Sequence, residues 1–170
     1  NDNFTVVTAG GNGLVIDSNR NVAFTNAVSG ATSYNGIPFF SDAGGGSMYT
    51  HNVTATQSTA ELNTAYGFSA MNAITTGDNN TALGFAAGGA INSGSENVAI
   101  GAYAGDALTT GVENVAVGYE ALSTEDAHGK NVAIGRRALK LLNAGADGLN
   151  TAVGHQAGAA MTTGTHNTVL

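Results

Sequence analysis

The sequence predicts an all-β chain: a parallel β-solenoid, or β-roll, of about six 17-residue repeats behind a small N-terminal β region. The first observation is a period. Asn recurs at 63, 80, 97, 114, 131, 150 and 167, and five of the six intervals are 17 residues while one is 19. The second is column identity. With Asn63, Asn80, Asn97, Asn114, Asn131 and Asn150 as position zero, position two is Ala65, Ala82, Ala99, Ala116, Ala133 and Ala152. Position four is Gly67, Gly84, Gly101, Gly118, Gly135 and Gly154, and position seven is Ala70, Ala87, Ala104, Ala121, Ala138 and Ala157. A fixed period of this length marks stacked structural units. The third is composition: among 170 residues, 25 are Gly, one is Pro and 10% are charged, which suits strands and turns rather than a disordered or collagen-like chain.

Three regions follow: an N-terminal β hairpin and cap over residues 1–50, a transition over 51–62, and the repeat over 63–170. Phe4-Thr-Val-Val, Gly13-Leu-Val-Ile and Asn21-Val-Ala-Phe-Thr read as strands, and Asp17-Ser-Asn-Arg-Asn reads as the turn of a hairpin. Residues 29–50 are rich in Gly, Ser and Asn and read as loop. This part would cap a solenoid end that otherwise exposes an unpaired edge.

Within a copy, positions one to three read as a strand. Position one is Thr or Val, and position three is Tyr66, Leu83, Ile100, Val117, Ile134 or Val153. Side chains alternate along a strand, so positions one and three share a face and Ala at position two has the other. The larger residues are expected to fill the coil's interior. The Ala face, Ala65, Ala82, Ala99, Ala116, Ala133 and Ala152, is then expected to meet another chain closely. Gly at position four should make a sharp turn, and Gly at position fourteen should close the coil, with His128 there in copy four and Gly129 one place later. Position eleven (Ile74, Ile91, Leu108, Leu142, Met161) should point inward, Glu125 being the exception, and the two extra residues of copy five should bulge before Asn150. The Asn column should form an amide ladder between coils, the alternative being Asn chosen only as a turn residue.

Composition excludes several function classes. The net charge of −7 opposes nucleic-acid binding, which needs a basic footprint. There is no Cys, hence no disulfide scaffold and no thiolate metal site. No run of apolar residues is long enough to insert in a membrane. The chain opens on Asn and stops three residues into a further copy, which reads as a piece of a longer protein.

Asn97-Val-Ala-Ile-Gly, Asn114-Val-Ala-Val-Gly, Asn131-Val-Ala-Ile-Gly and Asn150-Thr-Ala-Val-Gly resemble the head repeats of trimeric YadA-like autotransporter adhesins. The longer unit, Asn150-Thr-Ala-Val-Gly-His-Gln-Ala-Gly followed by Thr162-Thr-Gly, is similar to phage tail-fibre repeat arrays, as is Gly13-Leu-Val-Ile-Asp-Ser-Asn-Arg-Asn-Val. The resemblance implies a left-handed roll, a homotrimer, and a role in adhesion or host attachment. It carries no catalytic residues. The unit here is longer than that of the adhesin heads.

Stacking also predicts electrostatics, because equal positions lie about 5 Å apart on adjacent coils. Glu113, Lys130 and Asp147 follow one another at position sixteen, and Glu120 precedes Arg137 at position six, which predicts an ion-pair belt. A basic patch for an anionic glycan is the alternative, offset by the neighbouring carboxylates. The histidines (His51, His128, His155, His166) lack zinc-site spacing, and the Gly-rich stretches match neither phosphate-binding nor nucleophile-elbow motifs. Neither metal ligands nor cofactors are expected. The functional expectation is a non-enzymatic structural fibre or attachment protein: a shaft or head segment of a trimeric phage tail fibre in the virion, engaging a cell-surface receptor or glycan. The alternative is a bacterial surface adhesin or extracellular filament subunit. A polysaccharide-degrading tailspike would need an acidic groove with aromatic platforms, and six Phe, five Tyr and no Trp offer little for one.

Overall fold

A computed structural model describes residues 59–170 continuously and, before them, strands β1 (Phe4–Val7), β2 (Gly13–Ile16), β3 (Val22–Phe24), β4 (Thr32–Tyr34), β5 (Ile37–Ser41) and β6 (Met48–Tyr49). The chain divides into two compact units, Asn1–Thr32 and Ser33–Leu170. The turn expected at Asp17–Asn21, His51 and most of the transition before Thr59 lie outside the described residues.

In the first unit β1, β2 and β3 form an antiparallel sheet in sequence order, with Phe4 opposite Ile16 and Leu14 opposite Phe24. The hairpin expected from β2 and β3 is one half of it. Part of the segment read as loop is strand: β4, β5 and β6 join the sheet of the repeat region. Thr32-Ser-Tyr and Ile37-Pro-Phe-Phe-Ser are runs of β-prone residues, and the Gly and Ser around them obscured that in the sequence. β6 pairs in parallel with the first repeat strand and antiparallel with β5, so the solenoid edge is taken by a strand.

The repeat region is a parallel β-solenoid. Its strands are β7 (Thr64–Tyr66), β8 (Thr81–Leu83), β9 (Val98–Ile100), β10 (Val115–Val117), β11 (Val132–Ile134), β12 (Thr151–Val153) and β13 (Thr168–Val169). Each pairs with the next copy, like on like: Ala99 opposite Ala116, Ala116 opposite Ala133. The two-residue excess of copy five leaves this register intact, Ala133 facing Ala152. The excess is absorbed at the exposed corner around Asn143, Gly145, Ala146 and Asp147. There is no helix among the described residues, and none long and apolar enough to cross a membrane.

The two faces of the strands are the reverse of the sequence expectation. Ala65, Ala82, Ala99, Ala116, Ala133 and Ala152 point into the coil and are at most 1% exposed within a single chain, so they are not interface residues. The larger residues point out, with Tyr66 at 45%, Leu83 at 46% and Ile134 at 38% exposure. The coil's width decides this. A Cβ added at Gly105, across the interior, would lie in ordinary van der Waals contact with the Ala116 Cβ at 3.7 Å, so the narrow coil leaves little room for a strand side chain larger than Ala. The core is thus Ala at positions two and seven, closed at one end by Ile74, Ile91, Leu108 and Leu142 and by Met71, Leu122 and Leu139 at position eight.

Asn is buried in this core, and the ladder is complete. Asn97 Nδ2 donates to Asn80 Oδ1 (3.0 Å) and to the Gly111 carbonyl (2.8 Å). Its Oδ1 accepts from the Asn114 backbone N–H (3.0 Å) and from Asn114 Nδ2 (3.2 Å). Backbone N–H to Oδ1 bonds continue this chain from Asn63 to Asn167, and from Asn97 onward each Nδ2 also reaches the preceding Oδ1. The other Nδ2 hydrogen goes to the closing turn of the same copy in Asn80, Asn114 and Asn150, and to the Gly129 or Thr165 carbonyl two residues earlier in Asn131 and Asn167. Such satisfaction is what permits a primary amide inside an apolar core.

Gly at position four is required twice. Its φ lies between 123° and 138° throughout the column, and a Cβ on Gly101 would sit 2.8 Å from the Gly118 carbonyl oxygen on the next coil. The remaining corners use left-handed residues too, and many of these are not Gly. Position six (Tyr103, Glu120, Arg137), position eight (Met71, Leu122, Leu139) and position sixteen (Glu96, Glu113, Lys130) all have φ between 48° and 63°. Each costs on the order of 1 kcal/mol, which the stacked backbone bonds on either side offset.

Candidate functional site

Three surface features rise from this scaffold. The first is the outward face of the parallel sheet, where Val98, Ile100, Val115, Val117, Val132 and Ile134 form a continuous aliphatic strip over three coils, each side chain partly exposed. They sit there because positions one and three of a strand must both face away from the Ala column. Parallel sheets ordinarily have both faces covered, and a single chain covers only one.

The second is the ion-pair belt, which the structure forms in part. Lys130 Nζ lies 2.5 Å from Asp147 Oδ2. Glu120 Oε2 accepts from both Arg137 Nε (2.7 Å) and Lys140 Nζ (2.6 Å), Lys140 reaching it from position nine of the next coil. Among the described residues no ion pair joins Glu113 to Lys130. Its charge acts on that lysine only at longer range. The Lys140 and Arg137 hydrogen bonds hold the Glu120 carboxyl down to about 2. Lys130 likewise lowers Asp147, and Asp147 raises Lys130.

The third is a ridge of aromatic side chains that the column reading missed. Phe68 and Phe85 stack at 6.0 Å, Phe85 meets Tyr103 edge-on at 5.2 Å, and Tyr103 meets Tyr119 edge-on at 6.2 Å. Arg136 continues the line with its guanidinium 5.6 Å from the Tyr119 ring centre. All four rings are exposed, Phe68 to 73%. Tyr103 stands at position six and the other three rings at position five, so no single column reveals the ridge. Beside it Tyr103, Asp106, Tyr119, Glu120 and Ser123 line a cleft of about 300 Å³ between coils three and four. Asp106 Oδ1 is buried there without a hydrogen-bond partner. Burial raises the Asp106 carboxyl above its ordinary range, and the Glu120 charge adds to the effect.

Copy four is irregular inside as well. Glu125, the expected exception at position eleven, does point inward and is fully buried where other copies have Ile, Leu or Met. Its Oε1 accepts from the His128 backbone N–H (3.2 Å) and lies 3.2 Å from His128 Nδ1, and its Oε2 accepts from the Ala144 N–H (3.1 Å). The inserted corner of copy five thus supplies a donor to the buried acid of copy four. Glu125, Asp126 and His128 bring one donor atom each within 4.8 Å of one another, a mixed oxygen and imidazole set that suits a divalent cation. Spacing alone had not suggested it. Both Glu125 oxygens already have protein donors, which accounts for the carboxylate without an ion.

Compared with protein-family models, with curated proteins and with solved structures, the chain matches none.

Proposed function

We propose that the chain is a structural fibre and attachment protein: a shaft or head segment of a homotrimeric tail fibre, with the left-handed roll that the repeat resemblance implies, carried on the virion and used in host-cell adhesion. The observation that carries the reading is the aliphatic outward face of the parallel sheet. Val98, Ile100, Val115, Val117, Val132 and Ile134 form a strip that recurs with the coil, and an identical strip on further copies is its natural cover. The trimer contact therefore belongs to positions one and three rather than to Ala. The acidic net charge and the aliphatic strip both suit assembly and adhesion rather than nucleic-acid binding. We assign no catalytic role: Glu120, the one acid that faces Asp106 across the cleft, is engaged by Lys140 and Arg137.

Light scattering over a dilution series tests the proposal. A stable mass of three times 16.8 kDa supports it. Val115→Asp and Val117→Asp, each placing a charge on the strip but leaving the Ala core alone, should then lower the mass to that of one folded chain. A wild-type monomer, or a trimer indifferent to both substitutions, would overturn it.

A further inference from the structure

We infer that the aromatic ridge is one half of a seam between copies of this chain: the ridge of one copy lies along the position-sixteen column of the next, with Phe68 against Leu62 and the Arg136 guanidinium against Glu113. The inference rests on the fibre reading, because it names how neighbouring chains of that assembly meet.

The aliphatic strip has two rims, and both are exposed. After each strand comes the Gly corner at position four and then the ridge, with Phe68, Phe85, Tyr119 and Arg136 at position five and Tyr103 at position six. Ahead of each strand, just before the buried Asn, stand Leu62, Asn79, Glu96, Glu113 and Lys130, all left-handed and all exposed. From Leu62 to Phe68 the face spans six residue steps, at most about 20 Å. Three such faces closed into a triangle stand at most about 6 Å from their common axis, close to the ~5 Å that one side-chain layer occupies between packed sheets. In that closure the trailing rim of each chain meets the leading rim of the next, a heterologous contact that ends in a ring.

The two rims match at equal height. Leu62 and Phe68 flank the same strand, β7, and at 61% and 73% they are the most exposed large apolar residues of the coils other than Leu170. Rotation about the axis without axial shift brings one onto the other. The charges agree with that register. Lys130, Arg137 and Lys140 each hold a carboxylate, whereas Arg136 holds none among the described residues. Its guanidinium instead leans over Tyr119, which belongs to coil four. Coil four is the one that Glu113 leads, and among the described residues Glu113 forms no ion pair either. A cation and an anion without partners thus stand on opposite rims at one level, and Tyr103 and Glu96 share coil three in the same way, a phenol donor facing a carboxylate acceptor.

The occupant is a copy of this chain because the ridge repeats with the coil. Its ring centres lie 5.2 to 6.2 Å apart, near the ~4.8 Å step between stacked strands, so a surface that follows it over four coils needs the same step.

The chain has no Cys, so introduced thiols report on the seam alone. The whole chain carrying Leu62→Cys and Phe68→Cys together should give a covalent trimer under mild oxidation, read on a denaturing, non-reducing gel, and each single variant should run there as one chain. Strand β7 lies between the two positions and holds them about 10 Å apart or more, beyond disulfide reach within one chain. Both positions are exposed, so neither substitution touches the Ala core. In a second measurement, Arg136→Glu and Glu113→Arg should each lower the melting temperature of the particle by about 2–4 °C, and the variant carrying both should regain most of the loss. Light scattering gives the mass of every sample. A wild-type trimer whose two-Cys variant forms no covalent species overturns the seam and leaves the fibre reading standing. Covalent dimers from Phe68→Cys alone mean that ridges meet each other and also overturn it, as does a two-charge variant no more stable than the single ones. A wild-type monomer removes the fibre reading and the seam together.

Discussion

Replacing Asn114 by Ala breaks the ladder at its middle, and the structure fixes the consequence. The side chain makes four hydrogen bonds: Nδ2 to Asn97 Oδ1 (3.2 Å) and to the His128 carbonyl (3.0 Å), and Oδ1 from the Asn131 N–H (3.1 Å) and Asn131 Nδ2 (3.2 Å). Two of those partners keep another bond. Asn97 Oδ1 still accepts from the Asn114 backbone, and Asn131 Nδ2 still donates to the Gly129 carbonyl. The other two lose the bond without replacement: the buried Asn131 N–H, at about 1–3 kcal/mol, and the partly buried His128 carbonyl, at about 1 kcal/mol. The expected loss is therefore about 2–4 kcal/mol, read from urea unfolding followed by circular dichroism with an unchanged slope. Asn167→Ala, at a half-exposed rung, should cost about 1 kcal/mol because water can reach the freed groups. Asn114→Asp keeps the shape but turns an acceptor toward Asn97 Oδ1 and the His128 carbonyl, and should cost more than Ala. If Asn114→Ala costs under about 1 kcal/mol, or no more than Asn167→Ala, then the buried amide chain does not hold the coils together and the reasoning fails.

Three further outcomes follow from the same geometry. Ala116→Leu should destabilise by about 1–3 kcal/mol or more through overpacking the narrow coil, and it should do so at any protein concentration; a loss that vanishes on dilution would return Ala116 to an interface. Glu125→Leu restores the apolar column at position eleven and releases only the partly exposed His128 and Ala144 donors, so a gain of about 1–2 kcal/mol in chemical denaturation is expected; a lower midpoint would show that the acid stabilises copy four. Glu120 has its carboxyl lowered from 4.5 to about 2 by Lys140 and Arg137, so its contribution is present above pH 4.5 and lost as pH falls through about 2. The melting-temperature difference between wild type and Glu120→Gln should close over that window, and a difference constant with pH would contradict the ion-pair assignment.

Much of this architecture is legible in the sequence because identical residues at a fixed period must occupy identical environments. The strands, their like-on-like register, the Asn ladder and the Gly corner all follow from columns. What alternation cannot supply is a sign: it separates Ala116 from Val115 and Val117 but leaves open which side is inside. The distance between the two walls of the coil decides that, and no residue spells it out. The left-handed corners at Tyr103, Leu122 and Lys130 are hidden because their residue types do not advertise positive φ. The candidate cleft is hidden for a different reason. Its parts come from positions five, six and nine of two coils, with Asp106 and Ser123 at position nine of successive copies and Tyr103 and Tyr119 one place out of step. The ion pairs were more visible, since Glu120 and Arg137 share a column, but Lys140 enters from another one.

The strict pairing of each copy with the next has a genetic consequence. Because Ala99, Ala116 and Ala133 meet in unbroken register, recombination between repeats in the coding sequence adds or removes whole coils and leaves every surviving column aligned. Length can therefore change in quanta of 17 residues without a new fold being found, while a slip of one residue would turn Ala out and Val in along a whole strand. The 19-residue copy marks where the frame has slack: at the exposed corner before Asn150, two residues were accommodated and Ala152 still met Ala133. Insertions at that corner are the route by which such a gene can acquire new surface loops while its period stays intact.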